Sequence, residues 1–152
     1  EMVSRDTPLK IILEAIVESV ISKHLEGFIY RKKAAALGQE ITAIVKAALV
    51  DTGAYTYSAA HDFLDDLAGR VGTDQTLASK TFVNGAFDAA DVTFPSGGGV
   101  SVEAVVIYID TGAPETSRLV AYIDTDVTGL PVTNTGPVMV EWNVAGIFRL
   151  GA

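Results

Sequence analysis

Two short segments carry the residue types best able to do chemistry. Asp51-Thr52-Gly53-Ala54 follows the apolar run Leu49-Val50, and Asp110-Thr111-Gly112-Ala113 follows Ile107-Tyr108-Ile109. Two aspartates held about 3 Å apart share one proton, so that one carboxylate activates water while the other protonates a leaving group. Asp51 and Asp110 would form such a dyad only if two strand ends met at one point. A third apolar run ends in Asp124-Thr125-Asp126, without the glycine. Three Asp-Thr pairs at three strand ends have a simpler explanation: Asp side chains cap turns, and Gly accepts a positive φ.

The remaining constellations are thinner. His61 and Asp65 stand four residues apart and could share a metal from one helical turn, but two ligands do not make a site. His24 is placed where a cation favours the end of a helix. Asp88 and Asp91 lack the dense oxygen ligands of a calcium loop. Gly97-Gly98-Gly99 precedes neither a helix start nor a phosphate-binding lysine, so it reads as a flexible turn. Tyr108, Tyr122 and Trp142 alternate with apolar neighbours and read as core or sheet-face residues, with a stacking face for sugars as the other use of such rings. No metal, cofactor or catalytic residue is expected from this inventory.

The two Asp-Thr-Gly segments resemble the signature of aspartic proteases. Only 59 residues, 110 minus 51, separate the aspartates, too few for the two lobes of that family, and a homodimeric form would need one copy of the motif per chain. The resemblance therefore remains a remote alternative, and the protein is expected not to be an enzyme.

Composition bounds the class. The 152 residues are 49% hydrophobic and 20% charged, enough to bury a sizeable core in one domain with an appendage. A net charge of −8, with Arg31-Lys32-Lys33 as the single basic cluster, argues against a nucleic-acid surface. The absence of cysteine excludes disulfides, thiolate chemistry and Cys-ligated zinc. The longest apolar run, from Leu9 to Ile21, contains Lys10, Glu14 and Glu18 and falls short of the roughly 20 residues of a membrane span. Neither a membrane segment nor a secretory signal is expected, and Glu1 before Met2 reads as a possible processing scar.

The elements follow from periodicity and punctuation. Thr7 or Asp6 as N-cap, Pro8 in the first turn and Gly27 as the stop predict an amphipathic helix over 7–26. Its polar stripe is narrow (Lys10, Glu14, Glu18, Ser22, Glu26), so Leu9, Ile12, Leu13, Ile16, Val17, Val20 and Ile21 are expected to pack against a partner, in a homo-oligomer or a larger assembly. A short alanine-rich helix is predicted from Arg31 to Leu37, and another from Ala59 to Ala68 with Ser58 as N-cap. Strands are predicted over 44–50, 79–83, 87–94, 102–109, 119–123, 138–142 and 147–150, with Asn84-Gly85 as a hairpin turn. The expected fold is mainly β, an antiparallel sandwich or barrel with short helices. Residues 1–29 form an N-terminal helical extension and 30–152 the β-domain.

The order of several motifs resembles a small structural protein family of tailed bacteriophages. They are His61-Asp62-Phe63-Leu64-Asp65-Asp66-Leu67, Phe87-Asp88-Ala89-Ala90-Asp91-Val92-Thr93-Phe94, Val106 to Gly112, Ser117 to Asp124, Gly129-Leu130-Pro131-Val132, Trp142 and Gly146-Ile147-Phe148. The similarity spans roughly residues 30 to 150, and the residues before it exceed the family's usual start. It implies a virion structural protein, foremost a capsid decoration or cement protein and alternatively a tail, neck or fibre-base component, without catalytic residues. The implied partners are the major capsid protein or other virion proteins, with no nucleic acid and no membrane, and the implied location is the virion, assembled in the bacterial cytoplasm.

Overall fold

The computed structural model describes residues 3–4, 43–95 and 97–149; they are mainly β, in several antiparallel sheets. In chain order the strands are β1 (Val3–Ser4), β2 (Val45–Val50), β3 (Arg70–Thr76), β4 (Thr81–Val83), β5 (Ala86–Asp88) and β6 (Val92–Phe94). They continue as β7 (Ser101–Val102), β8 (Ala104–Ile109), β9 (Leu119–Ile123), β10 (Val132–Thr133), β11 (Val138–Val140) and β12 (Phe148–Arg149). The largest sheet runs β1-β9-β8-β2-β3 and ends on β1 and β3, so it is an open layer and not a closed barrel.

Its centre is the antiparallel pair β2 and β8, in unbroken register from Val45 opposite Ile109 to Val50 opposite Ala104. Side chains alternate across a strand. Val45, Ala47, Leu49, Val105, Ile107 and Ile109 therefore enter one core, while Ala48, Val50, Ala104, Val106 and Tyr108 enter a second core on the other face. Every residue of β8 and β9 is buried. This explains why both strands are apolar without interruption: neither face meets water.

The first core is roofed by small sheets. β4, β5 and β12 form one, with Phe82, Phe87 and Phe148 pointing inward and the rings of Phe87 and Phe148 stacked at 5.1 Å. The pairs β6 with β11 and β7 with β10 add Val92, Phe94, Val102, Val138 and Val140. Asn84 and Gly85 join β4 to β5 with φ of 50° and 79°, the paired positive values of a type I′ hairpin. The second core is closed by the connection from β2 to β3, which contributes Tyr55, Leu64 and Leu67.

Several boundaries differ from the sequence expectation, each for a tertiary reason. Ala59 to Ala68 is not a helix; a turn near Ser58 leads to a 3-10 turn at Leu64–Asp66. There the backbone pairs with another segment, as Leu64 N–H donates to the Ser117 carbonyl at 2.8 Å and Leu119 N–H to the Asp62 carbonyl at 2.9 Å. Phe63 is held extended in a bridge to Arg118, which removes the helical option. The 87–94 run divides into β5 and β6, which join different sheets, and the Ala90 N–H donates to the Ala78 carbonyl at the break. Glu103 likewise separates β7 from β8. β3 was not predicted because Arg70-Val71-Gly72-Thr73-Asp74-Gln75-Thr76 is polar, as befits a sheet edge with one wet side. The helices expected over 7–26 and 31–37, and with them Leu9, Ile12, Leu13, Ile16, Val17, Val20 and Ile21, lie outside the described residues. Among the described residues no helix is long and apolar enough to cross a membrane.

Candidate functional site

The antiparallel register decides the fate of Asp51 and Asp110. The Asp110 N–H donates to the Ile44 carbonyl at 2.8 Å at one end of the β2–β8 pair, and the Glu103 N–H donates to the Val50 carbonyl at 3.1 Å at the other. Seven residues of strand, from 44 to 51, separate these ends, which puts the two aspartates roughly 23 Å apart. The intramolecular dyad considered from sequence does not form. Each carboxylate instead caps its own turn: Asp51 Oδ1 accepts from Gly53 N–H at 2.7 Å, and Asp110 Oδ1 from Gly112 N–H at 3.0 Å. Lys46 Nζ lies 2.6 Å from Asp110 Oδ2, and this contact, followed by the Gly112 N–H, holds the Asp110 carboxyl below the usual range.

The three Asp-Thr pairs are turn devices of different construction. Gly112 takes φ of 93°, as the positive-φ argument requires. Gly53 does not need that conformation; a Cβ there would sit 3.0 Å from Asp51 Oδ1, so a larger residue would require the capping carboxylate to give by a few tenths of an ångström. In the third pair Asp126 adopts φ of 54° in place of glycine. Thr52 donates its N–H and its hydroxyl to Glu103 Oε2 at 2.9 and 3.0 Å. The Ser101 hydroxyl donates to Glu103 Oε1, and this bond, ahead of the Thr52 N–H, lowers the Glu103 pKa.

On the second face a polar network borders the core. The Tyr108 hydroxyl, on a buried ring, donates to Asp74 Oδ2 at 2.7 Å, and Arg70 Nη1 meets the same oxygen at 2.7 Å. Burial first, and Asp74 second, raise the Tyr108 pKa. Tyr55 Oη lies 2.7 Å from His61 Nδ1, and burial pushes the Tyr55 hydroxyl up to about 12. His61 is therefore part of a tyrosine cluster and does not share a helical face with Asp65. Among the described residues no group of three His, Asp or Glu could hold a metal. The aromatic rings do not make one stacking face either: Tyr108 and Tyr122 belong to the second core, whereas Trp142 packs against the first and donates its Nε1–H to the Ala90 carbonyl at 3.0 Å.

A groove lies on the outer face of the β4–β5–β12 sheet. Arg149 stands beside Ala86 and Ala86 beside Val83, while Asp88 stands beside Thr81 in the next row. The turn Val144-Ala145-Gly146 forms a wall, enclosing a groove of about 280 Å³. Val83 is 40% exposed and Val144 fully so. A valine at a turn tip is costly in water, and turn residues are commonly Gly, Pro, Asn, Asp or Ser. Sequence reasoning passed over this face, though Val144 between Asn143 and Ala145 was a usable signal. The groove is lined by the Asp88 carboxylate, the Arg149 guanidinium, the polar Thr81 and Asn84, and the apolar Val83, Ala86 and Val144. No protein-family model matches this chain, and no curated protein matches it either.

Proposed function

We propose that this protein is a structural component of a tailed-bacteriophage virion, a decoration or cement protein that sits on the head and adds contacts between coat subunits. The observation that carries this reading is the role of the motif residues whose order resembles that virion family: they are the staples of the β-domain. Asp66 Oδ2 accepts from the Asp62 and Phe63 N–H groups at 3.1 and 3.2 Å. Asp91 Oδ1 accepts from the Trp142 N–H at 2.8 Å, linking two motifs 51 residues apart in sequence. The Ser117 hydroxyl donates to the Ala113 carbonyl at 2.8 Å, and Phe87, Phe94, Ile107 and Tyr122 are buried. A shared order of staples supports a shared core, and a thiol-free β-domain with acids engaged in turns suits a scaffold role. In this reading the segment that follows β1, which itself belongs to the largest sheet, anchors the protein or assembles its copies through Leu9, Ile12, Leu13, Ile16, Val17, Val20 and Ile21.

The test is immunogold electron microscopy of intact virions of a phage encoding this chain, with antibody raised against residues 43–149. Dense label over the heads, with copies in the hundreds per particle, is the expected result. Label confined to a tail or neck would overturn the decoration role and keep the virion role; particles free of the protein by mass spectrometry would overturn both.

A further inference from the structure

We propose that the groove on the outer face of the β4–β5–β12 sheet is a self-complementary contact between two copies of this chain, related by a twofold axis, with Asp88 of each copy opposite Arg149 of the other. This inference concerns the β-domain alone and stands independently of any place in a virion. Asp88 and Arg149 project from the same face, and Arg149 is paired with Ala86, two residues before Asp88. They are diagonal neighbours, roughly 7 Å apart. Among the described residues the ion pairs are Lys46 with Asp110 and Arg70 with Asp74, and neither Asp88 nor Arg149 takes part in one. Asp88 Oδ1 accepts the N–H of the next residue, Ala89, at 2.9 Å, which engages one of the two carboxylate oxygens.

A carboxylate and a guanidinium separated in this way form a dipole lying across the groove. A twofold axis through the groove lays a second dipole antiparallel to the first, so both charges meet opposites at once, the requirement of an isologous interface. Between them Val83 and Val144 supply apolar area to remove from water. The charge balance suits this patch to self-association. The chain carries −8 overall, which keeps copies apart, whereas the charged lining of the groove is Asp88 and Arg149, one minus and one plus, summing to zero.

The experiment is sedimentation velocity on the full chain and on the variants Asp88→Arg and Arg149→Asp, over a range of concentrations. Wild type is expected to show a reversible association that each single variant weakens about tenfold or more, because each places like charges together twice across the axis. An equimolar mixture of the two variants is expected to recover the association, since a heterodimer restores both opposite-charge contacts. Circular dichroism should show both variants folded, with Arg149→Asp melting as wild type because Arg149 is exposed, and Asp88→Arg melting slightly lower because it loses the acceptor for the Ala89 N–H. Variants that associate as tightly as wild type, a wild type that stays monomeric, or a mixture that stays apart would each overturn the proposal. The mixture also separates this contact from one made by residues 1–29, which charge reversal at 88 and 149 would leave intact.

Discussion

The two faces of the central sheet are covered in opposite ways. The first is roofed by strands, and its core is dense in aliphatic and phenylalanine side chains, from Leu49 and Ile107 to Phe82, Phe87 and Phe94, with buried Asn134 near Val71 at its margin. The second is covered by a connection with little regular structure, and there the core contains Tyr55, Tyr108 and Tyr122. Strands satisfy their backbone groups in ladders, so a strand roof can be entirely hydrocarbon. On this face the irregular cover brings the Tyr55 hydroxyl and His61 close to the core, the strands β8 and β3 bring the Tyr108 hydroxyl and Asp74, and each buried polar atom must find a partner. The pairs Tyr55 with His61 and Tyr108 with Asp74 meet that requirement.

The comparison predicts a graded response to mutation. Phe87→Ala, in the strand-roofed core, should cost about 3–5 kcal/mol in chemical denaturation, because a ring stacked on Phe148 is replaced by a cavity. A loss below about 1 kcal/mol would mean the roof is loosely packed and the contrast between the faces is wrong. Gly129→Ala should come next, at about 2–3 kcal/mol, since φ there is 101° and a Cβ would collide with the Met139 carbonyl. On the second face Tyr108→Phe should cost about 1–2 kcal/mol by stripping a hydrogen bond from Asp74 while Arg70 remains. Equal losses for Tyr108→Phe and Phe87→Ala would erase the distinction between a hydrocarbon core and a polar-bordered one.

Dynamics and pH sharpen the same contrast at smaller amplitude. Amide hydrogen exchange should be slowest along β8, buried on both sides, and faster in 51–69, where few ladders protect the backbone. Tyr55, Tyr108 and Tyr122 keep their protons more tightly folded than unfolded, mainly through burial. Their contribution is therefore complete below pH 10 and is lost as pH rises through about 12, the folded value for Tyr55. At the acid end Asp66, Glu103 and Asp110 are depressed in the folded state, so their contribution is present above pH 4 to 4.5 and declines as pH falls below 3.8. A melting temperature flat from pH 5 to pH 2.5 would show that these turn caps do not couple to folding.

Legibility followed the range of the interaction that each feature depends on. Asn84-Gly85 was readable because a type I′ turn depends on two residues, and β9 because Leu119 to Ile123 is apolar without a break. The segment 59–68 carried good local helix signals, yet its backbone pairs with 117–119, a partner that no local window contains. β3 was hidden by Gly72 and its polar side chains, and it exists because β2 offers it a ladder. Arg149 and Val144 drew no attention in sequence because the groove they line takes shape only when β12 pairs with β5.

By itself the sequence determined a mainly β, thiol-free, acidic chain, with apolar runs long enough for strands and Asp, Thr and Gly at their ends. Those properties reside in composition and in neighbours a few residues apart. Tertiary structure decided that Asp51 and Asp110 stand at opposite ends of an antiparallel pair, that Tyr55, Tyr108 and Tyr122 share one core and Trp142 packs on another, and that Asp88 and Arg149 flank a groove. Strand register and layer order are set by pairings between residues tens of positions apart, where one slip in register sends each side chain to the opposite face.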